Sequence, residues 1–404
     1  MRSEKNFKRI LWSRNIISDV DLFAKSEAEI LPQLTKLGYE IYFISGYSKF
    51  KYRSKDSRIH PVPIPVGEKN LPFKYHFIFT LVQLFIFPFY ILATKPNYII
   101  VDWDSVFGLI PMIPFCRSLH VKVILDIRST PTPIEDSRRE ISLRSNLLDS
   151  VFNVSVSIAK RKLDGITIIT NLMKKEICSK FDINPAIVGV WPSGVSSDLF
   201  FDEKLFQSGT ELRKKLGLTK KFIVFYHGSL SESRGLIEVI NSMVILKDKH
   251  PEIVLFLLGK NGKDLKEIVS EKSVEDSVIF HDFVDHSEVP KYIAMCDVGI
   301  VPLLVLSQWM NQCPLKLIEY LSMKKTIILT EIPCHREIIG NDKCGIFLSS
   351  TSPAMIAKSI SFAFDNKEKL KEWGARGREI VADKYTWERV ASNLDDYLKG
   401  LEKQ

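Results

Sequence analysis

His227-Gly228-Ser229 follows an apolar run at 222–226, and Arg234-Gly235 precedes an amphipathic one at 236–247. A glycine at a strand end lets the backbone approach a ligand, and a helix start offers unpaired N–H groups and a favourable dipole to phosphate. Arg234 would add a charge-assisted, bidentate contact to a diphosphate. Such turns also occur without a ligand, so this pattern alone is weak. A second stretch, from Asn311 to Tyr320, puts Lys316 and Glu319 three positions apart on one helical face. Two readings are open for that pair. It is a solvated ion pair of little consequence, or Lys316 meets phosphate while Glu319 accepts hydrogen bonds from ribose hydroxyls. Asp126 and Arg128 end another apolar run and either look into a cleft or form a buried pair holding a loop. His227, His281 and His286 have no spacing that builds a triad or a metal site, and read as structural. The glycine turn and the Lys316–Glu319 helix together suggest a sugar-nucleotide site, and so an enzyme that moves a sugar.

Those side chains need a scaffold of alternating strands and helices. Apolar runs at 9–12, 40–44, 98–101, 122–125 and 165–169 predict strands in the first half. A helix over 23–37, stopped by Gly38, lies among them. Residues 131–149 are polar and read as a loop entering an exposed helix, and 187–200 as a last strand leaving the first domain. After a charged connector at 202–215 the alternation restarts. Strands are predicted at 222–226, 253–258, 278–280, 298–301, 326–329 and 345–348, with helices at 236–247, 288–295 and 314–323. Pro314 and Pro353 suit first helical positions, and the last helix spans about 387–400. Two successive parallel α/β units with one cleft are the simplest architecture for this pattern, and ligands in such folds bind where strands end.

Composition narrows the field further. The 404 residues are 45% hydrophobic and 26% charged, which fits two folded domains better than one. Residues 1–198 carry 27 basic against 19 acidic side chains, and the rest of the chain carries 29 of each. The excess positive charge is thus confined to the first half, notably around 49–58. It suits an anionic membrane face or acceptor, or is a solvated loop. No nucleic-acid motif accompanies it. Six scattered cysteines without a C-x-x-C pair read as buried apolar residues in a reducing compartment. The apolar run after the basic N-terminus is too short for a signal peptide, so a cytoplasmic protein is expected. One segment, 77–93, is membrane-like. It is short for a span and contains Gln83 and Pro88, so a buried or surface-docking helix is expected, with Lys69 and Lys74 suited to anionic lipid.

The order of several motifs resembles the retaining GT-B glycosyltransferases, in particular glycosyltransferase family 4. They are Val188-Gly-Val-Trp-Pro-Ser-Gly-Val, Tyr226-His-Gly-Ser-Leu-Ser-Glu-Ser-Arg-Gly, Phe283-Val-Asp-His, Pro314-Leu-Lys-Leu-Ile-Glu-Tyr and Cys344-Gly-Ile-Phe. A looser match through Asp164-Gly-Ile-Thr extends the resemblance over nearly the whole chain. It implies two Rossmann-like domains facing a central cleft, an acceptor-side domain at 1–198 and a nucleotide-sugar domain at 199–384. The helix at 385–404 would return to the first domain. It implies transfer from a nucleoside-diphosphate sugar, a UDP-sugar favoured over a GDP-sugar, with no bound cofactor or metal. Donor binding would fall to Gly228, Ser229, Arg234, Asn311, Lys316, Leu317 and Glu319, and catalysis to Asp126, Arg128, Arg234 and Lys316. The chain departs from the family pattern at Ser229, where a basic residue is usual, and at Asn311, where a glutamate is usual. It also lacks the glycine-rich loop after the first strand. The acceptor expected is a glycan or lipid-linked glycan in surface polysaccharide or glycoconjugate assembly, at the inner face of the cell membrane. An accessory subunit that has lost catalysis, or another GT-B enzyme such as a sugar-nucleotide epimerase, are the rival readings.

Overall fold

The computed structural model describes residues 7–17, 24–47, 54–65, 72–131, 143–260 and 262–403, without the side chains of 17, 24–25, 72–77 and 143–145. The chain divides into two compact units, the first formed by the residues up to Ser193 together with those from Trp387, the second by Gly194–Thr386. Each is a parallel sheet wrapped by helices. The first sheet runs β3-β2-β1-β4-β5-β6-β7. Its strands are β1 (Lys8–Ile17), β2 (Tyr39–Tyr47), β3 (Ile59–Pro65), β4 (Tyr98–Asp102), β5 (Lys122–Ile127), β6 (Gly165–Ile168) and β7 (Val188–Val190). The second runs β10-β9-β8-β11-β12-β13. Its strands are β8 (Phe222–His227), β9 (Ile253–Leu258), β10 (Val278–His281), β11 (Val298–Val301), β12 (Ile327–Thr330) and β13 (Gly345–Leu348).

Both sheets place the chain reversal at their centre. In the first, strands step outward from β1 to β3 before the chain crosses to β4; in the second, they step from β8 to β10 before crossing to β11. The carboxyl ends of β1 and β4, and of β8 and β11, therefore border the crevices where doubly wound sheets take ligands. Central strands buried on both faces read as unbroken apolar runs, which is why β8 and β9 stood out in the sequence: every residue of both is buried. The strand missed by sequence reasoning is β3. Its sequence Ile-His-Pro-Val-Pro-Ile-Pro holds three prolines, which argue against a strand. It is an edge strand, paired only with β2, and Pro61, Pro63 and Pro65 alternate along it, so their missing N–H groups cost no ladder bond.

The last helix, Trp387–Leu401, belongs to the first unit. It lays Trp387, Val390, Ala391, Leu394, Leu398 and Leu401 into a core with Trp12, Leu31 and Leu34. Tyr39 donates to Asp395 at 2.8 Å, and the Tyr397 hydroxyl donates to the Ile187 carbonyl at 2.7 Å. Within the second unit, Val195 bridges Thr386, so the two points where the chain passes between units lie side by side.

Part of the basic 49–58 stretch lies outside the described residues; within the rest, Arg58 is tied to Asp56 at 3.1 Å and to the Thr35 carbonyl. The 77–93 segment is inside a longer helix, α2 (Pro72–Thr94), which follows α1 (Ala24–Lys36) in the first unit. Among the described residues no helix is long and apolar enough to cross a membrane. All six cysteines are buried and unpaired with one another.

Candidate active site

Strand β8 ends at His227, and Gly228 turns the chain with φ +115°, a conformation that only glycine takes without strain. The turn is pinned on all sides. Gly228 N–H donates to the Leu258 carbonyl at 2.9 Å, Leu230 N–H to Lys260 at 3.0 Å, and the Tyr226 hydroxyl to the Ser229 carbonyl at 3.0 Å. The chain then makes a 3-10 turn, Glu232–Arg234, and enters helix Leu236–Leu246 through Gly235, at φ +74°. A Cβ there would stand 1.9 Å from the Pro302 carbonyl oxygen just after β11, so Gly235 serves both the turn and the close approach.

The helix Leu315–Ser322 brings the second motif to the same place. Pro314 caps this helix rather than occupying its first turn. Lys316 reaches across the glycine turn: a Cβ on Gly228 would lie 2.6 Å from its Cε and 2.8 Å from its Nζ. The ammonium is 5.5 Å from the centroid of the Tyr226 ring and makes no ion pair or hydrogen bond with the described residues. Desolvation, then the charge of Arg234, brings its pKa down to about 8. Among the described residues Arg234 has no carboxylate partner either; its guanidinium lies 4.2 Å over the Trp309 ring. Two cations thus face one glycine turn without an ion-pair partner among the described residues, Glu319 acting on Lys316 only through its field, which is the electrostatic condition of an anion site.

Glu319, on the next turn of the same helix, is buried and makes its close contacts with two histidines rather than with Lys316. His286 donates to its Oε1 at 2.8 Å, and His227 Nε2 lies 3.4 Å from its Oε2. The surface ion pair that the spacing allowed is therefore replaced by a carboxylate held between two imidazoles. Burial works against its ionisation, but the His286 hydrogen bond, the two imidazoles and Lys316 outweigh it and bring the carboxyl down to about 2. A depressed carboxyl pKa contributes stability that is full above the unfolded value of about 4.5 and is lost as pH falls through about 2. The stability gap between the protein and Glu319→Gln is expected to shrink by ~3 kcal/mol across that window. Urea unfolding of both at stepped pH measures it, and a constant gap would remove the clamp from the energetics.

Sequence reasoning missed three members of this cluster. His227 and His286 were read as isolated structural residues, because their convergence depends on β8 and the loop after β10 meeting one helix. Trp309, from the short helix Ser307–Met310, carried no signal at all. Of the donor residues expected, Gly228, Ser229, Arg234, Lys316 and Glu319 gather here. Asn311, half-buried, follows the Ser307–Met310 helix. The side chain of Leu317 is fully buried in the core, and its N–H donates to the Pro314 carbonyl at 3.0 Å. An open pocket of about 440 Å3 adjoins the turn, lined by Leu230, Gly259, Lys260, Phe280 and His281 among others.

In the first unit, Asp126 does not look outward, as expected of a residue facing a sugar. Its carboxylate is 0% exposed. Arg14 donates to Oδ2 at 2.9 Å, while Thr167 and Trp191 donate to Oδ1 at 2.8 and 3.0 Å. Arg14 also lies 3.2 Å from Glu27. The buried-pair alternative therefore holds, with Arg14 from β1 as partner rather than Arg128. Arg128 is also buried, donates to the Trp191 carbonyl and lies 3.5 Å over that ring. At the carboxyl ends of β1 and β4, Asn15 N–H donates to Asp102 at 2.6 Å and its side chain to Asp104 at 2.7 Å. The buried cation of this unit has carboxylate partners; in the second unit Lys316 and Arg234 have no ion-pair partner among the described residues.

Residues 208–380 match the family model of glycosyl transferases group 1. The chain is 22% identical over 258 residues to a GDP-mannose-dependent phosphatidylinositol monomannoside mannosyltransferase of Mycobacterium tuberculosis, covering 62% of this chain and 66% of that one. Curated relatives are matched over about half to two thirds of their own length. Among solved structures, sucrose-phosphate synthase from Thermosynechococcus elongatus superposes with a TM-score of 0.75 at 13% identity, over 98% of this chain and 99% of that one. HepE of Anabaena, in complex with UDP and glucose, gives 0.70 at 13% identity over 96% and 99%. The two parallel α/β units are thus those of the GT-B fold, and the second carries a glycosyl transferases group 1 domain.

Proposed function

We propose that this chain is a retaining glycosyltransferase that moves a sugar from a nucleoside-diphosphate sugar, a UDP-sugar before a GDP-sugar, to a glycan or lipid-linked acceptor. The observation that carries the reading is the pair of cations, Lys316 and Arg234, that stand around the Gly228 turn without an ion-pair partner among the described residues. A diphosphate placed there would receive the charge the apoprotein leaves unmatched, and Glu319, ordered by two histidines, would accept hydrogen bonds from the ribose. The reaction breaks the bond between the anomeric carbon and the phosphate oxygen and forms one to the acceptor oxygen. In a same-face reaction, as the family resemblance implies, the acceptor proton passes to the departing phosphate. Lys316 and Arg234 stabilise the negative charge growing on that leaving group, without a metal ion. Asp126 and Arg128 act in this reading as positioning residues that fix the end of β5. The excess positive charge of residues 1–198 suits an anionic membrane surface and an acceptor carried on it, as in surface polysaccharide or glycoconjugate assembly at the inner face of the cell membrane.

Calorimetric titration with UDP-, GDP- and ADP-sugars in buffers of different ionisation heat tests the reading. One nucleotide class is expected to bind, more weakly in Arg234→Ala and Glu319→Ala. Because Lys316 is largely neutral above pH 8, binding at higher pH is expected to take up roughly half a proton or more and to weaken as pH rises. Slow diphosphate release with membrane extract as acceptor source completes the case. Binding without any turnover would favour the accessory-subunit reading, for which Ser229 and Asn311 speak, and no binding would remove the site.

A further inference from the structure

Helix α2 is apolar on both faces, with Gln83 and Thr94 among the buried side chains. Its buried face is Phe79, Gln83, Phe87, Ile91 and Thr94, where Gln83 is 0% exposed and donates to Ser13 of β1 at 2.6 Å. The opposite face repeats at helical spacing and is open: Ile78 is 41% exposed, Leu81 40%, Phe85 78%, Phe89 64% and Leu92 58%. A surface helix ordinarily turns polar side chains outward, and an apolar outer face signals a second apolar phase. The adjoining 3-10 turn, Ile110–Met112, adds Ile110, 38% exposed. Since α2 is fixed against β1 and the short helix Val106–Leu109, it can lie along a bilayer but not cross it.

We infer that this face of α2 inserts into the outer part of an anionic lipid bilayer, holding the protein flat on the membrane as a monotopic enzyme. The charges around it select that occupant. Between residues 72 and 122 the bases are Lys74, Lys95, Arg117 and Lys122, while the acids are only Asp102, which is buried, and Asp104, which is bonded to Asn15. An apolar stripe in a segment that holds four bases against two acids complements anionic headgroups above acyl chains. The inference deepens the membrane part of the proposed function and rests on it only for where the acceptor is found.

Flotation of the full chain with vesicles of phosphatidylcholine, alone or mixed with phosphatidylglycerol, tests it. The protein is expected to float with the mixed vesicles, and Phe85→Ser with Phe89→Ser to lower the bound fraction about tenfold. Ile245→Ser, at an exposed apolar residue of the second unit, should change nothing. Both phenylalanines are exposed, so the melting temperature and nucleotide binding should be unaltered, which separates failure here from failure of the donor site. In a second measurement, Phe85→Cys labelled with an environment-sensitive dye should shift to the blue on mixed vesicles, the native cysteines being buried. No flotation, or equal flotation of the double variant, would overturn the inference. So would a dimer in solution that the same substitutions dissociate, since the face would then belong to a second copy.

Discussion

Lys316→Met is expected to lower turnover by about 10²–10³-fold while leaving the melting temperature unchanged or raised. The two halves of that result have one cause. In the free protein the ammonium sits over Gly228 beside Tyr226 and Arg234, and its lowered pKa shows that the fold holds this charge at a cost. Methionine keeps the length and the apolar contact with Tyr226 but removes that cost. When a diphosphate departs, the same uncompensated charge becomes the stabilising element, and methionine has nothing to offer. Arg234→Met should act in the same direction, and the two losses should not add, because both cations face the same turn. Single-turnover measurements beside thermal melts read both quantities. A variant with full turnover would show that Lys316 is not part of the chemistry; parallel loss of turnover and stability would make it a structural lysine.

Asp126→Ala is expected to destabilise the first unit by ~3–5 kcal/mol, the usual result of removing one partner from a buried ion pair. The alanine leaves the Arg14 guanidinium facing a void and strips the Trp191 indole and the Thr167 hydroxyl of their acceptor. Burial also pushes the Glu27 carboxyl upward, with Arg14 the main group opposing it, so after the loss of Asp126 the Arg14 guanidinium keeps Glu27 as its one carboxylate neighbour in this cluster. Differential scanning calorimetry should show the first unit's transition moving down while the second unit's nucleotide-stabilised transition stays in place. Replacing all three members of the buried cluster, Arg14→Met, Glu27→Met and Asp126→Leu, should recover much of the loss, because a buried ionic group replaced by apolar side chains of similar volume is often neutral. If Asp126→Ala melted normally but lost transfer, Asp126 would return to the list of groups that face the sugar.

The arrangement as a whole separates the two demands on the protein. In the first unit the buried cation is matched internally: Arg14 lies against Asp126 and Glu27, while the neutral amide Asn15 donates to Asp102 and Asp104. In the second, Lys316 and Arg234 are left unmatched around a glycine turn held by three hydrogen bonds. Keeping such charges costs stability that the surrounding core must supply, which is the ordinary state of a functional site.

Most strands were legible from the chain because a strand buried on both faces has no choice but to be apolar throughout, and β8, β9 and β11 are such runs. The glycine turn and the Lys316–Glu319 helix were legible for a similar reason: only glycine tolerates the backbone at 228 and 235, so the residue type reports the geometry. Edge position is a different kind of fact. Nothing local distinguishes three prolines in β3 from a loop; what admits them is that no strand lies beyond it. The fate of each charge likewise depends on groups distant in the chain. Arg14 finds Asp126 across three intervening strands of the chain, and Glu319 finds His227 and His286 rather than the lysine three residues away. Periodicity and backbone restriction are local properties, and composition carries them. Which charges are cancelled and which remain for a ligand is a sum over the folded neighbourhood, and only the packing of β8, β11 and their helices performs that sum.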